Sequence, residues 1–326
     1  MMTAQQTSTG PFSPLRLSTG TVHPFHIYGT AFKEGRTGEL TALALRKGFR
    51  GLDSANYPSA YEEAAVGVAI EEAVKSGVKR EDLFVIQHQQ PPLRPRGSNI
   101  DKWGKNVFSI QVQTKFTPMW AHAESKLPYN ADQPLEEQVR ESIEQSFQNL
   151  KVDYIDALLL HVPFPDEQDN TAAWRVMESF VPSRVGVLGV SNFGRAALQK
   201  LYAAATVKPE IVQNRFQAEN GYDGEIREYL GTTGVVYQAF SLLKANREIR
   251  SSELVARVAE RFHTERETAF YVLVLGLGRV SIVNGTTSEA HMEMDLAKIA
   301  ELLGDQQAVS DLTEYLVEFK QLLRTK

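Results

Sequence analysis

VGVLGVSNFGRAALQKLYAAATVKPEIVQNRF, residues 185–216, contains one complete unit of the architecture. A short apolar run (185–193) gives way to GRAALQKLYAAA (194–205), whose apolar residues recur at helical spacing, and the chain then returns to a second short run, EIVQNRF (210–216). Two strands joined through a helix run parallel, with a right-handed crossover between them. The unit therefore predicts a parallel α/β sheet.

The same alternation extends in both directions. Further strand-like runs are FHIYGTA (25–31), FRGLDSA (49–55), FSIQVQTKF (108–116), YIDALLLHV (154–162), GVVYQAF (234–240) and RVSIVNG (279–285), eight in all. Helical spacing recurs in EEAAVGVAIEEAVKSG (62–77), PLEEQVRESIEQSFQNLK (134–151) and SSELVARVAERFH (251–263). Eight parallel strands close into a (β/α)8 TIM barrel, here a single domain over residues 21–326 behind a flexible segment at 1–20. The competing doubly wound sheet wants a glycine fingerprint such as GxGxxG after its first strand, and GTAFKEG (29–35) is not one. The last stretch, ELLGDQQAVSDLTEYLVEFKQLLRTK (301–326), is amphipathic, as a helix against the barrel or a dimer contact would be.

One segment breaks the rhythm. Between REDLF (80–84) and QTKFTP (113–118) the chain is far longer than the usual helix-to-strand loop of about 2–6 residues. An insertion at about 85–111 is read either as a solvated surface loop or as retained intron sequence, since removing Val85 through Gln111 leaves the continuous junction REDLF-VQTKFTP.

Composition narrows the chemistry. A net charge of −5 provides no general attraction to nucleic acid or to an anionic membrane. The chain has no cysteine, which removes disulfides and thiolate nucleophiles. The seven histidines lack HExxH or comparable ligand spacing, so no metal site is expected. No secretion signal or long apolar run is evident, and a cytoplasmic location is expected by default. The oligomeric state is left open.

In a parallel barrel the active site sits at the C-terminal ends of the strands. Asp53, Tyr61, Lys115 and His161 each stand where an apolar run ends, and Asn192, Gln213, Phe240 and Thr286 fall at or just beyond such ends. A carboxylate, a phenol, an ammonium and an imidazole converging on one pocket can protonate the oxygen of a carbonyl as it is reduced. Taken singly, Asp53 reads as a turn residue, Lys115 as a solvated charge and His161 as a hydrogen-bonded strand-end histidine.

Over about residues 25–300 the chain resembles the aldo-keto reductase superfamily, most closely a microbial and fungal branch. The resemblance rests on GFRGLDSANYPSAYEEAAVGVAIEEAVKSGVKREDLF (48–84), QTKFTP (113–118), DYIDALLLHVPFP (153–165), GVLGVSNF (186–193), VQNRFQAENGYD (212–223) and GTTSEAHMEMDL (285–296). It implies NAD(P)H-dependent reduction of an aldehyde or ketone, with Tyr61 as general acid, Lys115 depressing its pKa, Asp53 pairing with Lys115, and His161 orienting the carbonyl. Tyr57 is a rival for the acid, because many members place the tyrosine five residues after the aspartate. A cofactor-binding regulatory protein of the same fold is the alternative function.

The resemblance also places the cofactor. Ser191, Asn192 and Gln213 match the positions that hold the carboxamide, Phe240 the aromatic that stacks on nicotinamide, and Thr30, Ala31, Asp53 and Ser241 join them. Members that prefer NADP usually carry a lysine and an arginine where this chain has Gly285 and His291, and an asparagine where it has Asp295. Thr286, Thr287, Ser288 and His291 remain as phosphate partners. NADP is therefore the expected cofactor, with NAD possible. Phe32, Trp120, Tyr129 and Phe164 are nominated to shape a pocket for a small carbonyl substrate.

Overall fold

The computed structural model describes residues 10–78, 110–122 and 127–325. Of the expected insertion, only Ile110 and Gln111 fall within these, and the two readings of that stretch lie outside the described residues.

The chain begins with a short antiparallel pair, β1 (Leu15–Arg16) and β2 (Val22–His23). It then alternates through β3 (His26–Gly29), α1 (Thr37–Lys47), β4 (Gly51–Asp53), α2 (Glu63–Lys75), β5 (Gln111–Phe116) and α3 (Leu135–Leu150). Next come β6 (Ile155–Leu160), α4 (Glu167–Glu178), β7 (Val185–Ser191), α5 (Arg195–Ala204), β8 (Ile211–Arg215), α6 (Gly224–Gly231) and β9 (Val236–Phe240). Short helices α7 (Leu242–Ala245) and α8 (Arg247–Arg250) lead into α9 (Glu253–Arg261), α10 (Arg266–Leu275), β10 (Val280–Asn284), α11 (Glu289–Gly304) and α12 (Gln306–Thr325).

Among the described residues, β3 to β10 form a closed barrel of eight parallel strands, with β10 returning to pair with β3. Every expected strand is present. Side chains alternate across each strand, so Val112, Leu158, Val212 and Tyr237 join the main core, while Ala157, Leu159, Val187, Ile211 and Val236 form a separate inner cluster.

The expected flexible start at 1–20 needs correction within the described residues. Leu15 and Leu17 are buried in that inner cluster, closing the barrel at the N-terminal ends of its strands. Polar contacts fix the hairpin there, for Gln111 Nε2 donates to Val22 O at 2.7 Å and Ser18 N to Glu210 Oε2 at 2.7 Å. A polar, glycine-containing segment looked unstructured because its two leucines gave no periodicity of their own.

Local packing sets where α2 begins, and hence where Tyr61 stands. α2 and α3 approach so closely that a Cβ on Gly67 would lie 2.1 Å from Asn149 O. Glu63, at the first turn of α2, is buried and accepts hydrogen bonds from Thr114, from Ser146 at 3.1 Å and from Asn149 at 3.4 Å. One carboxylate thus ties α2 to both β5 and α3. The terminal segment forms α12, which packs on the outer helices, with Phe319 edge-on to Phe270 at 6.2 Å.

Candidate active site

Asp53 ends β4, and Lys115 is the penultimate residue of the neighbouring β5. The Lys115 ammonium lies 2.7 Å from Asp53 Oδ1 and 2.9 Å from Oδ2, and donates to Ser54 O at 2.7 Å. Both side chains are almost wholly inaccessible, so the pair persists only because each charge is met by the other and by further hydrogen bonds. Burial acts to lower the Lys115 pKa, yet the Asp53 carboxylate and the Tyr61 phenol outweigh it and hold the ammonium above its ordinary value.

Tyr61 stands just before α2. The Lys115 ammonium lies 4.9 Å from its ring centroid, close enough for its charge to act on the phenol. Tyr57 instead sits edge-on to His122 at 5.1 Å and to His161 at 5.8 Å, so the two tyrosines occupy different places around the same imidazole. The expected depression of the Tyr61 pKa is not found. Burial raises it, the Lys115 charge pulls the other way, and the net direction is upward. The phenol therefore holds its proton at neutral pH.

His161 follows β6, with its ring 6.1 Å from that of Tyr61 and Nδ1 2.7 Å from Thr117 Oγ1. Burial, then the charges of Lys115 and His122, put its pKa well below the usual imidazole value. It is neutral, which leaves Nε2 as the ring nitrogen for a ligand.

Three amides complete the interior. Asp53 Oδ1 accepts from Gln113 Nε2 at 2.6 Å and from Gln213 Nε2 at 2.9 Å. Both amides also donate to Gln238 Oε1 at 2.9 Å, and Gln238 Nε2 lies 2.9 Å from His23 Nε2. A hydrogen-bonded column therefore runs from Lys115 down to the hairpin. Gln213, expected at the carboxamide, spends both of its N–H groups inside this column and keeps only Oε1 for a ligand. Gln113 and Gln238 were not singled out from the sequence, although their positions, two residues before Lys115 and before Phe240, put them on the same inner face.

The remaining residues follow the rim. Thr30 Oγ1 donates to Asp53 O at 2.9 Å, and Ala31 is half-buried beside it. Asn192 adopts a left-handed conformation and donates to His161 O at 2.9 Å and to Ser191 Oγ at 3.1 Å. Phe240 ends β9 half-buried, 5.6 Å from the Arg215 guanidinium, and Ser241 after it is also left-handed. Beyond β10, Tyr28 donates to Thr286 O at 3.1 Å, Thr286 N to Asn284 Oδ1 at 2.9 Å, and Ser288 caps α11. Thr287 and His291 are exposed. Asp295 is buried against Thr268 and Asn284, and burial raises its pKa.

Of the nominated pocket residues, Phe32 and Trp120 are exposed on the rim. Tyr129 donates to Thr117 O at 2.8 Å and Phe164 stacks on Phe116, so these two support the site from behind. Lys33 was not foreseen. It lies between β3 and α1, is 7% exposed, and donates to Gly285 O.

A family model described as the aldo/keto reductase family matches residues 16–247. The chain is 27% identical over 225 residues to glyoxal reductase of Bacillus subtilis (strain 168), an alignment covering 68% of this chain and 63% of that protein. It therefore spans less than two thirds of that relative's length. It is 28% identical over 302 residues to glycerol 2-dehydrogenase (NADP(+)) of Hypocrea jecorina, covering 82% of this chain and 81% of that protein. An aldo/keto reductase from Brucella melitensis superposes with a TM-score of 0.66 at 19% identity, over 93% of this chain and 98% of that one. An aldose reductase from Schistosoma japonicum gives 0.66 at 21% identity, over 92% and 91%. These two structural likenesses speak to the fold. No described helix is long and apolar enough to cross a membrane.

Proposed function

Because this chain belongs to the aldo/keto reductase family, we propose that it reduces the carbonyl of a small aldehyde or ketone to an alcohol at the expense of NADPH. The observation that carries this reading is the meeting of a protonated phenol, a buried ion pair and a neutral imidazole at one end of the barrel.

The residues present fit a nicotinamide dinucleotide. Ser191, Asn192 and the Gln213 carbonyl offer partners for an amide, Phe240 offers a half-buried ring, and the first turn of α11 offers unsatisfied N–H groups for phosphate. When bound, the dinucleotide supplies the hydride. His161 Nε2 donates to the carbonyl oxygen and fixes its direction, which requires the proton on that nitrogen while Nδ1 accepts from Thr117. Tyr61 gives its proton to the same oxygen as negative charge develops there. The raised pKa keeps that proton in place beforehand, and the Lys115 ammonium stabilises the phenolate afterwards. Asp53, held by two amides, keeps Lys115 charged and stationary.

Tyr61→Phe tests the reading. With 4-nitrobenzaldehyde as substrate, turnover should fall by about 10²–10⁴-fold while NADPH binding, followed by tryptophan fluorescence, stays within about twofold. Loss of turnover in Tyr57→Phe but not in Tyr61→Phe would transfer the role to the rival tyrosine. Absence of binding and turnover in the wild-type chain would remove the reductase reading altogether.

A further inference from the structure

Gly285 leaves a space at the end of β10. A Cβ built there would lie 2.9 Å from Lys33 Nζ and 3.3 Å from Gly29 O, so an ammonium from another loop already stands where a side chain at 285 would start. Lys33 reaches this point from the β3–α1 connection. It is buried, it donates to Gly285 O, and its ammonium lies 5.2 Å from the Tyr28 ring centroid. Among the described residues, no carboxylate is paired with it. Glu39 pairs with Arg36, Glu289 with Lys47, and Glu62 accepts from Gly35 N, so none of these three carboxylates is turned to Lys33. Burial lowers the Lys33 pKa to about 8, so the charge is retained at neutral pH but is poorly compensated.

A buried cation without a counter-charge, next to the N-terminus of a 16-residue helix, is complementary to an anion. Its contacts explain the position as well. The Tyr28 hydroxyl donates to Thr286 O, so the residue beneath the ammonium also fixes the turn into α11. The ammonium is thus held over the turn that carries Thr286, Thr287 and Ser288.

We infer that Lys33 binds a phosphate of the dinucleotide, supplying from the first strand's loop the cation that the chain lacks at Gly285. The inference rests on the reductase reading and adds a residue that neither the family resemblance nor the sequence pattern placed in the site. Two phosphate sources share this chemistry, the adenosine 2′-phosphate and the pyrophosphate bridge.

The test is equilibrium binding of NADPH and NADH, read by tryptophan fluorescence, to wild type, Lys33→Met and the double variant Lys33→Met/Gly285→Lys. Lys33→Met should weaken NADPH about tenfold, equivalent to about 1.4 kcal/mol, with cooperative thermal unfolding retained. The double variant, which returns an ammonium to the same space, should recover most of that loss. Weakening confined to NADPH assigns Lys33 to the 2′-phosphate, and parallel weakening of NADH assigns it to the pyrophosphate. Either outcome supports the inference. Unchanged affinity for both cofactors in Lys33→Met overturns it while leaving the reductase reading intact. A wild-type chain that binds neither overturns both.

Discussion

Two columns of side chains fill the same barrel. One is apolar, built from Leu15, Leu17, Ala157, Leu159, Val187, Ile211 and Val236. The other is polar and runs through Lys115, Asp53, Gln113, Gln213, Gln238 and His23. Strand geometry is the same for both, yet they are held together differently. The apolar column depends on volume and tolerates rearrangement, whereas the polar one depends on each bond, because an orphaned buried group bears its full desolvation cost. The first gives the barrel volume-filling rigidity, and the second gathers its buried charged and polar groups.

Asp53→Ala breaks the polar column at its most costly point. It leaves the Lys115 ammonium buried without its counter-charge and removes the acceptor shared by Gln113 and Gln213. The expected loss of stability is about 3–5 kcal/mol, measured by urea unfolding at pH 7, together with loss of turnover. A loss below about 1 kcal/mol would mean that water enters and solvates Lys115, so that the pair is not sealed as the geometry indicates.

Leu15→Ala tests the apolar column at the hairpin. Leu15 is 1% exposed and packs beneath the inner cluster, so truncation should cost about 2–5 kcal/mol. The polar counterpart, Gln238→Leu, has similar volume but strands the donors of Gln113 and Gln213 and the His23 imidazole, at about 1–3 kcal/mol. Urea unfolding checks both. Hairpin truncation without effect would return residues 15–23 to the flexible segment that their composition suggests. Gln238→Leu stabilising the protein would show the amide column to be dispensable for folding.

The difference between the columns also explains what could be read from the sequence. All eight strands were legible because β-branched and apolar runs recur between helical segments, and the ends of those runs located Asp53, Lys115 and His161. The inner cluster followed the same alternation, apart from its hairpin lid. The amide column did not. Gln113 and Gln238 are polar residues inside strands, and composition cannot tell a buried glutamine with two or three partners from one facing solvent. Lys33 was hidden for a related reason: its role depends on a space left by Gly285, more than 250 positions away in the chain. The Tyr61 pKa failed on sign because a neighbouring ammonium was weighed without the opposing burial.

His26 gives the finest discrimination, since it is a polar group placed on the apolar side without partners. It sits on the outer face of β3 against Phe49 at 4.8 Å and Tyr271 at 5.8 Å, and neither ring nitrogen has a hydrogen-bond partner. Burial lowers its pKa to about 3 from an ordinary 6.5. The unfolded chain therefore binds a proton below about pH 6.5 that the folded chain refuses, so the contribution of His26 to stability is complete above that pH and declines as pH falls toward about 3. The slope for one such group is about 1.4 kcal/mol per pH unit. His23, lowered to about 4 by burial, adds a parallel decline that a substitution at 26 leaves in place. His26→Phe removes the titrating group and extends the aromatic contact. Its stability relative to wild type should rise by about 1–2 kcal/mol between pH 7 and pH 5, as measured by urea unfolding at each pH. If the difference between the two proteins stays flat across that range, His26 protonates in the folded state and the side of the barrel it occupies is wetter than its packing implies.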